Sequence, residues 1–348
     1  SFLIFISYHY IYYKKNIYYL SQILFYLGIF FILISTLEIL TNSHFPYTYP
    51  FRFKLKNIAG GTSWNINDYA TFLYVILYFL LVFLFLGIKN LFIKVLLSIF
   101  FICSIYFFML KTDSRANLLG LKVFLTSFFL ILLIIFLKNL IKNIAINFAG
   151  NKKILFLIIF ILIFLAVISF SSLYILKNVN NIKANINKYH QLLEYLIYNK
   201  SKYLSSEQLR VRLILNGLKM LKDNKYLGVG PGQSEILMEY YSEHYYSVKS
   251  GSNVFTNLHN FWIELLVDYG VFIFILFLIY YIYTMSSFFF IAIKNNAKLE
   301  ILVLSVLSFS TMMGFIISSN SVSSLLTRPV VWIYLSYITI LKEFCYLN

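Results

Sequence analysis

Charge is scarce in this chain. Only 12% of its 348 residues are Asp, Glu, Lys or Arg, and just 13 are acidic, while 60% are hydrophobic. A soluble domain of this length has no interior able to hide so much apolar surface, so the shortage excludes a soluble globular protein and leaves a polytopic membrane protein. Cysteine is nearly missing too. Cys103 and Cys345 both lie in apolar runs, a placement that supports neither a disulfide framework nor a metal site. His, Cys and carboxylates nowhere take a metal-ligand spacing. The one glycine-rich stretch has no following Gly-Lys-Ser/Thr and no strand-turn-helix setting, so it is neither a phosphate-binding Walker loop nor a dinucleotide fingerprint. No metal and no cofactor is implied. Internal repeats are absent.

What the chain does have is long runs of Phe, Ile, Leu and Tyr. A span needs about 20 apolar residues, and residues 17–40, 68–88, 91–110, 116–137, 154–176, 269–293, 299–318 and 329–346 qualify. Residues 1–13 are too short and read as the tail of a truncated helix. All spans are expected to be helices, because a lone sheet leaves backbone groups unsatisfied in lipid. The formal charge of +16 is read first as topology rather than as nucleic-acid binding. Lys14 and Lys15, Lys89 with Lys94, the 138–153 connector, Lys294 with Lys298, and Lys342 fall on one side, which the positive-inside rule assigns to the cytoplasm. The opposite face then carries 41–67, the 111–115 turn, a long loop from 177 to 260, and 318–328. Arg52, Lys54 and Lys56 lie on that outer face against the rule and suit an anionic substrate. The expected organisation is an all-α polytopic bundle: N-terminally truncated transmembrane helices in 1–176, an extracytoplasmic loop carrying the chemistry in 177–260, and C-terminal transmembrane helices in 261–348.

Only polar residues discriminate function in such a chain. The stretch Leu227-Gly-Val-Gly-Pro-Gly-Gln233 is a turn by default, and otherwise a place where backbone approaches a substrate through Gly228, Gly230 and Gly232. Arg210 and Arg212 lie two apart on an expected helix, so they face different ways. Each is a surface arginine or a phosphate ligand. Arg115 stands at the outer entrance of the 116–137 span, either snorkelling or functional. Lys122 lies about two turns further along that helix, on the same face. His259 and Asn260 precede Phe261-Trp-Ile-Glu264; they are an interfacial polar pair, or His259 is a general base that Glu264 and Asp268 orient. His9, His44, His190 and His244 look isolated. Arginines and a histidine on one outer face are what transfer from a phosphate leaving group needs.

Four stretches in order resemble the O-antigen ligase/polymerase superfamily of bacterial envelope polysaccharide assembly. They are Gly60-Gly-Thr-Ser-Trp-Asn-Ile-Asn-Asp-Tyr-Ala70, Ser114-Arg115-Ala-Asn-Leu-Leu-Gly120, Arg212 followed by Leu227-Gly-Val-Gly-Pro-Gly232, and His259-Asn260 with Glu264 and Gly270. The likeness covers residues 58–345. Ile66 and Tyr226 stand where proline is usual. The resemblance implies a metal-independent glycosyltransferase of the bacterial cytoplasmic membrane that polymerises undecaprenyl-diphosphate-linked repeat units, or a ligase moving the glycan to a lipid, wall polymer or protein. Arg115 and Arg212 would hold the diphosphate and His259 would deprotonate the acceptor; Arg210, Asn260, Glu264 and the glycines would contribute to binding. Its partners would be the bilayer, chain-length regulators and flippases. A flippase or transporter is the competing class, which requires ionisable or helix-breaking positions at mid-membrane depth, Gly28 and Gly314 being the helix-breaking candidates.

Overall fold

The computed structural model describes residues 16–63, 65–112, 114–144, 206–250, 253–294, 298–321 and 328–347. The expected 154–176 span and the histidines His9 and His190 lie outside them. The described residues form a polytopic helical bundle with seven helices long and apolar enough to cross a membrane. In chain order the helices are α1 (Asn16–Thr41), the one-turn α2 (Tyr49–Arg52), α3 (Ile66–Gly87), α4 (Leu91–Lys111), α5 (Arg115–Ile144), α6 (Ser206–Asp223) and α7 (Gln233–His244). A two-residue antiparallel pair follows, β1 (Lys249–Ser250) with β2 (Asn253–Val254), Lys249 opposite Val254. Then come α8 (Phe261–Ile293), α9 (Leu299–Ser318), a 3-10 turn (Ser319–Ser321) and α10 (Pro329–Leu347).

Asparagine begins three of the long helices. The side-chain oxygens of Asn65, Asn90 and Asn260 accept the first free amides of α3, α4 and α8, and such a cap is worth about 1 kcal/mol. Within the bundle, lipid gives helices no hydrophobic reason to associate, so close contacts and interhelical hydrogen bonds must do it. Buried tyrosines supply many of them. Tyr74 donates to the Thr311 carbonyl at 2.8 Å, Tyr281 to the Met312 carbonyl at 2.7 Å, and Tyr78 pairs with Ser308 at 2.9 Å. Ser21 pairs with Tyr337. Helices α5 and α9 cross at Gly120 and Gly314. A Cβ on Gly314 would lie 2.4 Å from the Gly120 carbonyl oxygen and 2.1 Å from the Tyr74 hydroxyl. Gly314 is therefore a contact point inside a continuous helix and not the helix break that a transporter reading would use.

The two ends of the bundle differ. At one, Lys94 reaches the Phe85 carbonyl (2.9 Å) and Glu300 (3.4 Å), tying the start of α4 to the end of α3 and the start of α9. At the other, here the polar end, Thr71 donates to Asn117 (2.9 Å), Arg328 to Asp68 (3.0 Å), and the Trp262 indole N–H to Ser319 (3.0 Å). His44 sits at this end and is far from isolated. Its ring bonds Glu38 at 3.2 Å and the Leu55 carbonyl at 3.0 Å, while Glu38 also accepts the amides of Gly60 and Gly61.

Helix α8 folds back on itself. Gly270 has φ 81° and ψ 170°, which no helix contains. The rings of Trp262 and Tyr281 are 5.3 Å apart and those of Phe261 and Phe277 5.9 Å; a straight helix would separate residues 262 and 281 by about 28 Å. Residues 261–269 thus form an arm that doubles back along the start of the 271–293 span, leaving Phe261 against Phe315 near the end of α9. The expected span boundary at 269 coincides with this hairpin. The arm has two apolar faces: Phe261 and Leu265 belong to the bundle core, and Val267 joins Leu213, Met220, Met238, Tyr241, Val248 and Leu258 in the small core of the polar unit formed by α6, α7 and the segment to 258.

Candidate active site at the foot of the arm

The glycine-rich turn is built against the hairpin. Helix α6 ends in a paired-bond cap, with Tyr226 N–H on the Leu221 carbonyl and Lys225 N–H on the Lys222 carbonyl. This is the Schellman arrangement, with Lys225 in the left-handed place that glycine usually takes. From there the backbone meets residues 267–271: Val229 N–H bonds the Val267 carbonyl (3.0 Å), Gly230 N–H the Asp268 carbonyl (2.9 Å), and Val271 N–H the Tyr226 carbonyl (3.0 Å). Gly228 (φ 91°) and Gly270 press so closely that a Cβ on Gly228 would lie 2.5 Å from the Gly270 nitrogen. Two positive-φ glycines in mutual backbone contact leave no room for a side chain on either.

Asp268 is committed to this junction. Its carboxylate accepts Gly232 N–H at 2.8 Å and Ser234 N–H at 3.2 Å, capping α7. Sequence reasoning gave Asp268 to His259 as an orienting group; the structure corrects that, because a carboxylate at a helix N-terminus satisfies free amides and complements the helix dipole. Gly230 and Gly232 spend their amides on the same junction, so their observed work is docking the polar unit to the arm.

His259 stands at the other end of the arm, at its foot, with φ 52°. Asn260 follows as the cap, its Oδ1 accepting Trp262 N–H (3.0 Å) and Ile263 N–H (3.1 Å), which starts the helix of the arm. Glu264 is buried one turn up the arm, its amide on the Asn260 carbonyl. Gly217 fixes the approach of α6, since a Cβ there would lie 2.7 Å from Leu258. Arg210 is seven residues before Gly217 and so shares its helix face. From that face its charge reaches His259. Burial, and then the Arg210 charge, push the His259 pKa down to about 4, so the imidazole is neutral at pH 7.

Arg212 reaches a different segment with at least one of its nitrogens. Its Nη1 donates to the Ser247 carbonyl at 2.9 Å, and Asn216, one turn on, clamps Tyr246 through both its amide and its carbonyl. The structure therefore sets His259 within the field of Arg210, and holds one guanidinium nitrogen of Arg212 at the 246–247 segment. Arg115 belongs to a third element. It is exposed at the first turn of α5, where buried Asn117 bonds Ser114 at 2.9 Å and Thr71 at 2.9 Å. The 3-10 turn Ser319–Ser321 touches both α5 and α8, linking the Arg115 end of the bundle to the arm.

Asp68 and Arg328 were missed. Asp68 is buried in the first turn of α3 and carries Arg328 at 3.0 Å from the start of α10. An ionisable residue at a span's entrance was the available signal.

The chain matches known proteins in this same region. Residues 99–278, just over half of the chain, match the family described as O-antigen ligase. Over 281 residues the chain is 26% identical to the protein of Bacillus subtilis (strain 168) named teichuronic acid biosynthesis protein TuaE, covering 79% of this chain and 50% of that protein. The chain thus spans about half the length of the curated relative it matches. The matched residues run from α4 through the Ser114-Arg115 turn, the glycine-rich junction, His259 and the hairpin at Gly270, and this multi-pass membrane protein belongs to the O-antigen ligase family.

Proposed function

We propose that the chain is a glycosyltransferase of envelope polysaccharide assembly, acting at the polar end of the bundle on a glycan linked to undecaprenyl diphosphate. The observation that carries this reading is His259, neutral at pH 7, within the field of Arg210 and at the foot of the arm, where Phe261 and Trp262 meet the end of α9. In the step proposed, an acceptor hydroxyl attacks the donor's anomeric carbon, the bond from that carbon to the diphosphate oxygen breaks, and the hydroxyl proton passes to His259. Undecaprenyl diphosphate leaves with the electron pair. Arg210 and Arg115 stabilise the charge growing on the leaving phosphate. A base of pKa about 4 is weak, but a bound diphosphate offsets the Arg210 charge and raises the proton affinity of the imidazole as the acceptor arrives. The reaction needs no metal in this scheme, and the polar end faces outward, consistent with the lysines grouped at the other end.

Polymerisation of lipid-linked repeat units is the preferred form, in keeping with a relative named for the biosynthesis of a polysaccharide. Transfer to a lipid, wall polymer or protein is the second reading, favoured by the description of the family. The test is complementation of a strain lacking the gene. His259→Ala and Arg210→Ala are expected to insert normally and to lower transfer by about 10²–10⁴-fold, the usual contribution of a positioned base. Single-repeat glycans accumulating identify a polymerase, and long chains left on the carrier lipid identify a ligase. Normal glycan in both variants overturns the mechanism, and activity abolished by chelator overturns the metal-free scheme.

A further inference from the structure

The turn Lys225-Tyr226-Leu227 has features that docking alone does not explain. Lys225 fills the left-handed place of the α6 cap, but Tyr226, φ 64°, is left-handed as well, which the cap does not require. A bulky side chain is held in a backbone region it normally avoids. The result is display. Leu227 is 78% exposed and Tyr226 54%, with Lys225 exposed beside them. The turn is also rigidly placed. Tyr226's carbonyl takes the Val271 amide, and a Cβ on Gly270 would lie 2.4 Å from Leu227's backbone.

That attachment sets its depth. The span 271–293 would be about 34 Å long as an ideal helix, slightly longer than the roughly 30 Å hydrocarbon core, so its first residues lie at the boundary of core and headgroups. Phe272, 72% exposed, and Ile273, 43% exposed, continue the lipid-facing surface of the span up to this level. Lysine, tyrosine and leucine in order are the chemistry of that boundary: ammonium at the phosphates, phenol at the interface, aliphatic side chain toward the acyl chains.

We propose that Lys225, Tyr226 and Leu227 form a fixed anchor in the lipid leaflet next to the polar unit, extending the lipid-facing surface of the 271–293 span. The anchor holds the glycine-rich junction at the bilayer surface, so the polar unit cannot lift away from the mouth of the bundle. It does not depend on the glycosyl-transfer reading, only on 271–293 crossing a membrane.

The test uses the full chain in phosphatidylethanolamine–phosphatidylglycerol liposomes, with Cys103→Ser and Cys345→Ala as background. Nitroxides are attached at Leu227→Cys, Tyr226→Cys, Phe272→Cys and Ile236→Cys, the last on an exposed face of α7. Labels at 226 and 227 are expected to follow 272, several-fold less accessible to a water-soluble nickel chelate than 236 and readily reached by dissolved oxygen. Nickel accessibility at 227 equal to that at 236 overturns the anchor. So does shielding from both reagents, which would mean that protein, including a second copy of the chain, covers the turn.

Discussion

Two glycine pairs hold this molecule together, and they do so differently. Gly120 and Gly314 let α5 and α9 cross within the bundle, and both are helical. Gly228 and Gly270 join the polar unit to the hairpin, and both have positive φ. In the bundle, glycine supplies only space. At the junction it supplies space and a backbone conformation closed to other residues, so the junction has less tolerance. The polar unit, which carries His259 and Arg210, is fastened by the less forgiving pair.

The largest effect is expected from Gly270→Val. It should detach the polar unit from the arm, abolish glycan transfer and open the 206–258 region to protease while the spans stay protected; equal protease resistance of both regions would erase the contrast. Gly314→Ala should lower bundle stability by about 1–3 kcal/mol, the usual cost of overpacking, read as a lower thermal midpoint in detergent with the polar unit still docked. Asp268→Asn keeps the shape of the α7 cap and removes its charge, for a loss of about 1 kcal/mol. Its transfer rate should fall far less than that of His259→Ala, because Asp268 works at the opposite end of the arm. The smallest effect is a displacement in pH. The low His259 pKa places the acid limb of kcat/KM near pH 4, with activity rising as His259 loses its proton. In Arg210→Ala the limb should move upward toward the ordinary histidine value of about 6.5, but only part of the way, because burial is the larger cause. The stability sign agrees. A histidine whose folded pKa is depressed favours the unfolded chain as pH falls from about 6.5 to about 4, so the polar unit is more stable above this window.

The spans within the described residues were legible because hydrophobic length is a local property: the apolar run 299–318 is α9. The hairpin was half legible. A boundary at 269 follows from where the apolar run begins, yet nothing local says that the preceding nine residues double back, since the contacts that fold them are with Phe277, Tyr281 and Phe315. At the candidate site, residue types were readable and partners were not. Arg210 and Arg212 look equivalent in sequence, and only the fold shows that the Arg210 charge acts on His259 while Arg212 bonds the Ser247 carbonyl. Asp268 looked like a companion of His259 because both are polar and near in sequence, but its partners, Gly232 and Ser234, lie 36 and 34 residues away.

The fold-back of α8 also imposes an order of assembly during synthesis. His259 leaves the ribosome 60 residues ahead of Ser319, the residue that holds Trp262 in place. Until α9 has been inserted, Phe261 has no Phe315 to rest on and Trp262 has no acceptor at Ser319, so the foot of the arm has no fixed seat. The candidate base therefore reaches its place late, after the spans around it, and an unfinished chain released before α9 would carry the histidine without the seat that positions it.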